Sequence, residues 1–384
     1  MVEGMTSALS VGPGSVSHGQ ESQDTAFPAS GFDALVMAAA RECPDLVLVS
    51  DDGGATTAGV LARRVGRLAA LLHHAGFAPG ERILLVAGAT TASIVALVAV
   101  LRAGLQPALA PVGLGPVELV AHARAANAVA LIGPSSYGAA DCGEAYLSAA
   151  ALSDSIRMVA TQGPGPVDGA ADISFERLDA MVDVETAFPG GEPGTILTFA
   201  GPATAPDLKA HRQVALFADA LSLVEQARIN PSARIVSLLP PASLAGLVAG
   251  PCAALVGASS LALHGPFDAA RFLAACDAEP GFHIVAPAAI GSAFEDGALT
   301  VDAMSLILVS RFADPGAFAL PQDLACDRPI TDLYAYGEDT VIAQRRQDGR
   351  AQPPARVTDK SESGSLGARL NRARAAHRRQ GAEG

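Results

Sequence analysis

Residues 58–132 read AGVLARRVGRLAALLHHAGFAPGERILLVAGATTASIVALVAVLRAGLQPALAPVGLGPVELVAHARAANAVALI, and their rhythm decides the fold. Leu61, Val65, Leu68, Leu71 and Leu72 recur at three- and four-residue intervals, which predicts a helix over about Ala58–Ala75. Gly76 stands where a helix C-cap is wanted, and Pro79-Gly80 makes a turn. Ile83 to Val86 then reads as a buried strand, and Thr91 to Arg102 as a helix stopped by Gly104. Leu105 to Ala110 is a strand, Pro116 to Asn127 a helix and Ala128 to Ile132 a strand. Such alternation argues for a mostly parallel α/β sheet covered by helices.

The pattern extends both ways. Upstream, Leu46 to Ser50 is a short β-type run ending in the turn Asp51-Asp52-Gly53-Gly54. Downstream, strands are expected at Ile196–Phe199, Ile235–Leu239, Ser259–Leu263, His283–Val285 and Leu306–Val309. Helices are expected at Val214–Ala227, Leu244–Leu255 and Asp268–Ala275. Residues 1–30 are rich in Gly, Ser and Pro and read as a disordered leader. The body then runs over 31–346, with sub-domains at about 31–190 and 191–346, and residues 347–384 read as a basic disordered tail.

Half of the 384 residues are hydrophobic and 17% are charged, so a large core is expected. With 4% aromatics and no Trp, Ala, Val, Leu and Gly must fill it, and few stacking platforms remain for nucleic-acid bases. The net charge of −13 argues against nucleic acid or an anionic membrane as partner. From Arg345 onward ten Lys/Arg face four Asp/Glu, a net +6 that leaves −19 before it. Such a tail is either simply solvated or docks onto an acidic protein partner. The five cysteines (Cys43, Cys142, Cys252, Cys276 and Cys326) are far apart without a C-x-x-C pair, which fits reduced thiols in a cytoplasmic protein. No secretory signal is readable. The uncharged stretches Ile83–Leu101 and Ile235–Leu263 are long enough for a bilayer, but their Gly and Pro breaks fit buried strand-turn-helix units better.

The stretch from Ala55 to Ile132 resembles the opening of acyl-CoA synthetases and other AMP-forming ligases. Their pattern L-x-x-x-x-x-x-L-A-x-x-L followed by G-x-x-x-G-D-R-V matches Leu61 to Leu72 and then Gly76-Phe77-Ala78-Pro79-Gly80-Glu81-Arg82-Ile83. Their A-x-L-x-A-G segment matches Ala99 to Gly104, and Gly257-Ala258-Ser259, Pro266-Phe267-Asp268 and Val285-Ala286-Pro287 follow in the family's order. The resemblance covers about residues 45–345 and implies the large N-terminal domain of that fold. The family's later motifs, and the small C-terminal domain with its catalytic Lys, are not readable after Gly349.

The resemblance weakens where the chemistry should be. The family's phosphate loop, roughly T-S-G-T-T-G-x-P-K-G, corresponds here to Phe199-Ala200-Gly201-Pro202-Ala203-Thr204-Ala205-Pro206-Asp207-Leu208. Gly201 and Pro206 are kept, Thr204 replaces a Gly, and Asp207 takes the Lys position. Lys209 is a candidate substitute. The family's Y-G-x-T-E motif, whose Tyr packs on adenine, whose Thr contacts phosphate and whose Glu helps hold Mg²⁺, matches Tyr336-Gly337-Glu338-Asp339-Thr340. Asp339 falls at the Thr position and Thr340 at the Glu position, with Glu338 a shifted candidate metal ligand; the alternative is an acidic surface turn. The P-x-x-H-x-x-G element of the acyl pocket matches Pro240 to Gly246, with Ser243 at the His position, where it either lines the pocket or caps the next helix. His211, after the loop, is expected to pack or cap.

The resemblance therefore implies ATP with Mg²⁺ and an acyl or aryl acid, or its adenylate, as ligands, with CoA unknown. The leading expectation is a catalytically impaired relative that keeps an acyl or nucleotide cleft or serves as a scaffold. The alternative is a working ligase that uses Lys209 and receives a C-terminal domain in trans.

Overall fold

A computed structural model describes residues 31–182, 188, 194–295, 302–313, 318–325 and 327–354. The expected leader, Cys326 and the tail beyond residue 354 lie outside these. Two sheets organise the body. The first has seven strands, in the order Asp207–Arg212, Thr195–Ala200, Gln106–Pro111, Arg82–Ala87, Ala128–Pro134, Met158–Gln162 and Ala171–Asp172. It is parallel except for the antiparallel hairpin at its Asp207–Arg212 edge. The second has eight strands: Thr340–Arg345, Ile330–Tyr336, Ser305–Phe312, Phe282–Pro287, Arg234–Ser237, Ser260–Leu263, Val47–Asp51 and Gly54–Thr57. Only its two edge pairings are antiparallel.

Both sheets take strands from both sides of residue 190. Residues 47–57 join the later strands, and residues 195–212 join the earlier ones. A split near 190 therefore does not separate the two sheets: the chain exchanges a hairpin in each direction, which locks the halves together.

The helix Thr91–Arg102 buries ten of its twelve residues, because it lies in one apolar cluster with Leu48 and Val49 of the second sheet and Ile83 and Leu85 of the first. A helix apolar all round is stable only in such a sandwiched place. Its neighbour Ala58–His74 is amphipathic, burying Leu61, Val65, Leu68 and Leu72 as their spacing requires, with Thr57 as N-cap. The uncharged stretch 235–263 resolves into strand, helix and strand, and among the described residues no helix is long and apolar enough to cross a membrane. Within it, the helix begun at Leu244 widens to a π turn over Val248–Cys252, where Pro251 has no N–H to give the regular ladder.

Residues 347–350 form a turn closed by a Gln347–Arg350 bridge, and the Tyr334 hydroxyl donates to the Gln352 carbonyl at 2.8 Å. These residues of the expected tail thus pack on the body, next to the buried Arg346–Asp332 ion pair.

Candidate functional site

The site lies where the edge hairpin of the first sheet faces the end of strands Ser305–Phe312 and Ile330–Tyr336 in the second. The hairpin is regular, with six facing pairs from Thr195 opposite Arg212 to Ala200 opposite Asp207. Its loop begins at Gly201, whose φ of +80° suits glycine, and Thr204 is exposed near its tip. Asp207 is the first residue of the return strand, so Lys209, two residues on, projects to the same face. The Lys209 ammonium lies 3.0 Å from an Asp207 oxygen and 3.4 Å from an Asp339 oxygen. Hydrogen bonding to Asp207 and then Asp339 raises its pKa, holding it charged and occupied.

Asp339 belongs to the tight turn that joins Ile330–Tyr336 to Thr340–Arg345. Gly337 makes it possible, with φ +54° and its N–H donating to the Phe312 carbonyl at 2.7 Å. The Tyr336 ring, 9% exposed, stacks on Phe312 with centroids 5.6 Å apart. Thr340 opens the return strand opposite Tyr336.

Glu338 points the other way and is buried. One carboxylate oxygen accepts the Leu244 N–H at 2.5 Å and the other accepts from Arg311 at 2.7 Å. Burial pushes its pKa up, while Leu244, Arg311 and the Thr198 hydroxyl pull it back. Thr198 in turn meets the His211 Nε2 at 2.8 Å, with both residues buried. Burial lowers the His211 pKa, an effect that Asp339 only partly offsets. A polar chain thus runs His211–Thr198–Glu338–Arg311 across the two sheets.

Leu244 is the first residue of the helix after Pro240. The Ser243 hydroxyl accepts the Gly246 N–H at 3.2 Å, so Ser243 is its N-cap. Gly246 is obligatory, because a Cβ there would run into the Pro240 carbonyl oxygen. Lys209–Asp339 joins the hairpin to the turn, and Glu338–Leu244 joins the turn to the helix start. Lys209, Asp339, Glu338 and the Ser243-capped helix start are therefore brought together from three distant segments.

The arrangement opposes phosphate. Three carboxylates, Asp207, Glu338 and Asp339, face two cations, Lys209 and Arg311, and each cation is already paired. An anion added here meets one uncompensated negative charge, a repulsion that solvent weakens because Asp207 and Asp339 are exposed. Glu338, the shifted candidate metal ligand, has both carboxylate oxygens engaged, one by the Leu244 N–H and one by Arg311. The sequence reading missed Arg311 and Thr198. Arg311 lies on a strand end with no motif to flag it, and only the fold places it beside Glu338.

Residues 36–193 match the family model of the AMP-binding enzymes. A salicyl-AMP ligase / salicyl-S-ArCP synthetase of Mycobacterium tuberculosis is 31% identical over 170 residues, which is 43% of this chain and 29% of that protein. The Mycobacterium smegmatis MbtA apo structure superposes with a TM-score of 0.68 at 20% identity, covering 83% of this chain and 59% of that one. The anthranilate CoA ligase AuaEII, in complex with anthranoyl-AMP, gives 0.66 at 13% identity, covering 79% of this chain and 60% of that one. The chain thus spans well under two thirds of the length of these relatives.

Proposed function

We propose that this chain, whose residues 36–193 match the AMP-binding enzyme family model and whose described body has the fold of the adenylate-forming ligases, keeps their cleft for an acyl or aryl acid, or the corresponding adenylate, with ATP chemistry impaired. Lys209 carries this reading: the one cation of the hairpin face is clasped by Asp207 and Asp339 rather than open to a triphosphate. An acyl or aryl group does not depend on the phosphate loop for its contacts, so it can still be taken by a ligase fold that no longer receives a triphosphate. The matches to a salicyl-AMP ligase and to a structure holding anthranoyl-AMP support an aryl acid within that class. The test is calorimetric titration with a panel of aryl and acyl adenylate analogues, together with acid-dependent pyrophosphate exchange. Saturable adenylate binding without exchange is expected; no binding of any analogue would leave a scaffold role.

A second reading, a working ligase completed by a C-terminal domain, is favoured by one observation. Lys209 does stand between the hairpin and the Tyr336–Thr340 turn, where a substitute for the lost loop cation is needed. Under it, pyrophosphate exchange is measurable and Lys209→Ala abolishes it.

A further inference from the structure

We infer that an apolar cavity on the far side of the core, under the first helix, is a binding site for a small uncharged aliphatic molecule or the end of a short alkyl chain. The cavity has a volume of about 70 Å³ and lies between helix Phe32–Glu42, helices Ala58–His74 and Thr91–Arg102, and the helix that runs through Pro251. It exists because several facing positions are small. Ala38 and Ala39 of the first helix oppose Ala254, and the π turn at Pro251 widens the helix that forms the opposite wall. Phe32, Val36, Leu61, Ile94, Val98 and Leu255 close the rest.

Its chemistry selects the ligand. None of the buried polar side-chain atoms that lack a partner lies in its wall. The buried Ser259 hydroxyl is spent on the Asn230 and Gly257 carbonyls. An occupant therefore gains contact and loses water, with Cys43 and Glu42 the remaining polar side chains of a mostly apolar wall. Glu42 stands at the mouth, so an anionic head is disfavoured there. The volume exceeds what one water needs and is about half that of an engineered dry cavity known to take benzene or xenon. Three or four carbons fit.

The site is separate from the cleft of Lys209 and Glu338 and does not depend on its reading. Methyl-labelled full-length protein titrated with xenon, n-butanol and butyrate tests it by NMR. Xenon and butanol should give saturable shifts confined to the methyls of Val36, Leu61, Ile94, Val98 and Leu255, with butyrate at least tenfold weaker. Ala39→Leu and, independently, Ala254→Ile fill the space and should each abolish the response in a folded protein. Non-saturable shifts spread over the surface, or full binding by both folded variants, would overturn the proposal. So would contacts from residues 1–30 into the cavity without a butanol response, which would make the chain's own leader the occupant.

Discussion

Asp207 shows how one residue changes the meaning of a loop. As a Lys it would meet a phosphate; as the first residue of an edge strand it instead holds Lys209 at 3.0 Å. Gly246 is the opposite case, a residue kept for backbone reasons. A methyl at this position meets the Pro240 carbonyl, which cannot move without unseating the Ser243 cap. Gly246→Ala should cost about 3 kcal/mol, measured by urea denaturation, and a neutral change would show that the turn has room to shift. His283 sets a pH dependence. Its Nδ1 lies 2.7 Å from the Ser305 hydroxyl in the sheet interior, and burial holds its pKa down to about 4, below the ordinary imidazole value of about 6.5. Between those values the unfolded chain takes a proton that the native imidazole refuses. Stability is complete above the unfolded value and falls as pH drops toward 4, by up to about 3 kcal/mol. Urea melts at pH 7 and pH 4.5 should show this, and His283→Asn should shrink the difference; an equal difference in the variant would place the effect elsewhere.

At the scale of elements, the hairpin Thr195–Arg212 is both the altered phosphate loop and a packing unit. Phe199 stands at a position where the resemblance has a hydroxyl, and its ring lies 4.5 Å from that of His122. Restoring the loop with Phe199→Thr, Ala200→Ser, Pro202→Thr, Ala203→Thr, Thr204→Gly and Asp207→Lys should raise ATP affinity at least tenfold, about 1.4 kcal/mol. It should also lower the melting temperature, since the aromatic contact is worth roughly 1 kcal/mol. Unchanged ATP affinity in a folded variant would mean that the cleft beyond the loop has been remodelled. The same hairpin shows what the sequence reveals. Thr91–Arg102 is readable to the residue, because a Thr cap, an apolar run and a following Gly agree. Asp207–Arg212 is not, because an edge strand with alternating charges has no apolar run to read. Ile330–Tyr336 is hidden for another reason: Asp332 interrupts it, and only the buried Arg346 makes a mid-strand carboxylate tolerable. The site is legible as a set of aligned positions, but the pairings that occupy them are not, since Arg311, Thr198 and Leu244 meet Glu338 only through the fold.

Across the whole molecule, strands exchanged between the two sheets tie the described body together, and residues 347–352 pack onto it as well. Removal of residues 355–384 should leave the melting temperature unchanged. Removal from residue 350 should lower it by several degrees, because Tyr334 loses the Gln352 carbonyl and Asp323 loses the Ala351 N–H. Equal melting temperatures for the two truncations would show that 350–354 adds nothing. The central claim is that the cations where the two sheets meet are occupied from within, Lys209 by Asp207 and Asp339, Arg311 by Glu338. Calorimetric titration of the intact protein with ATP–Mg²⁺ tests it most directly. The account predicts binding no tighter than the millimolar range, and a micromolar dissociation constant would contradict it.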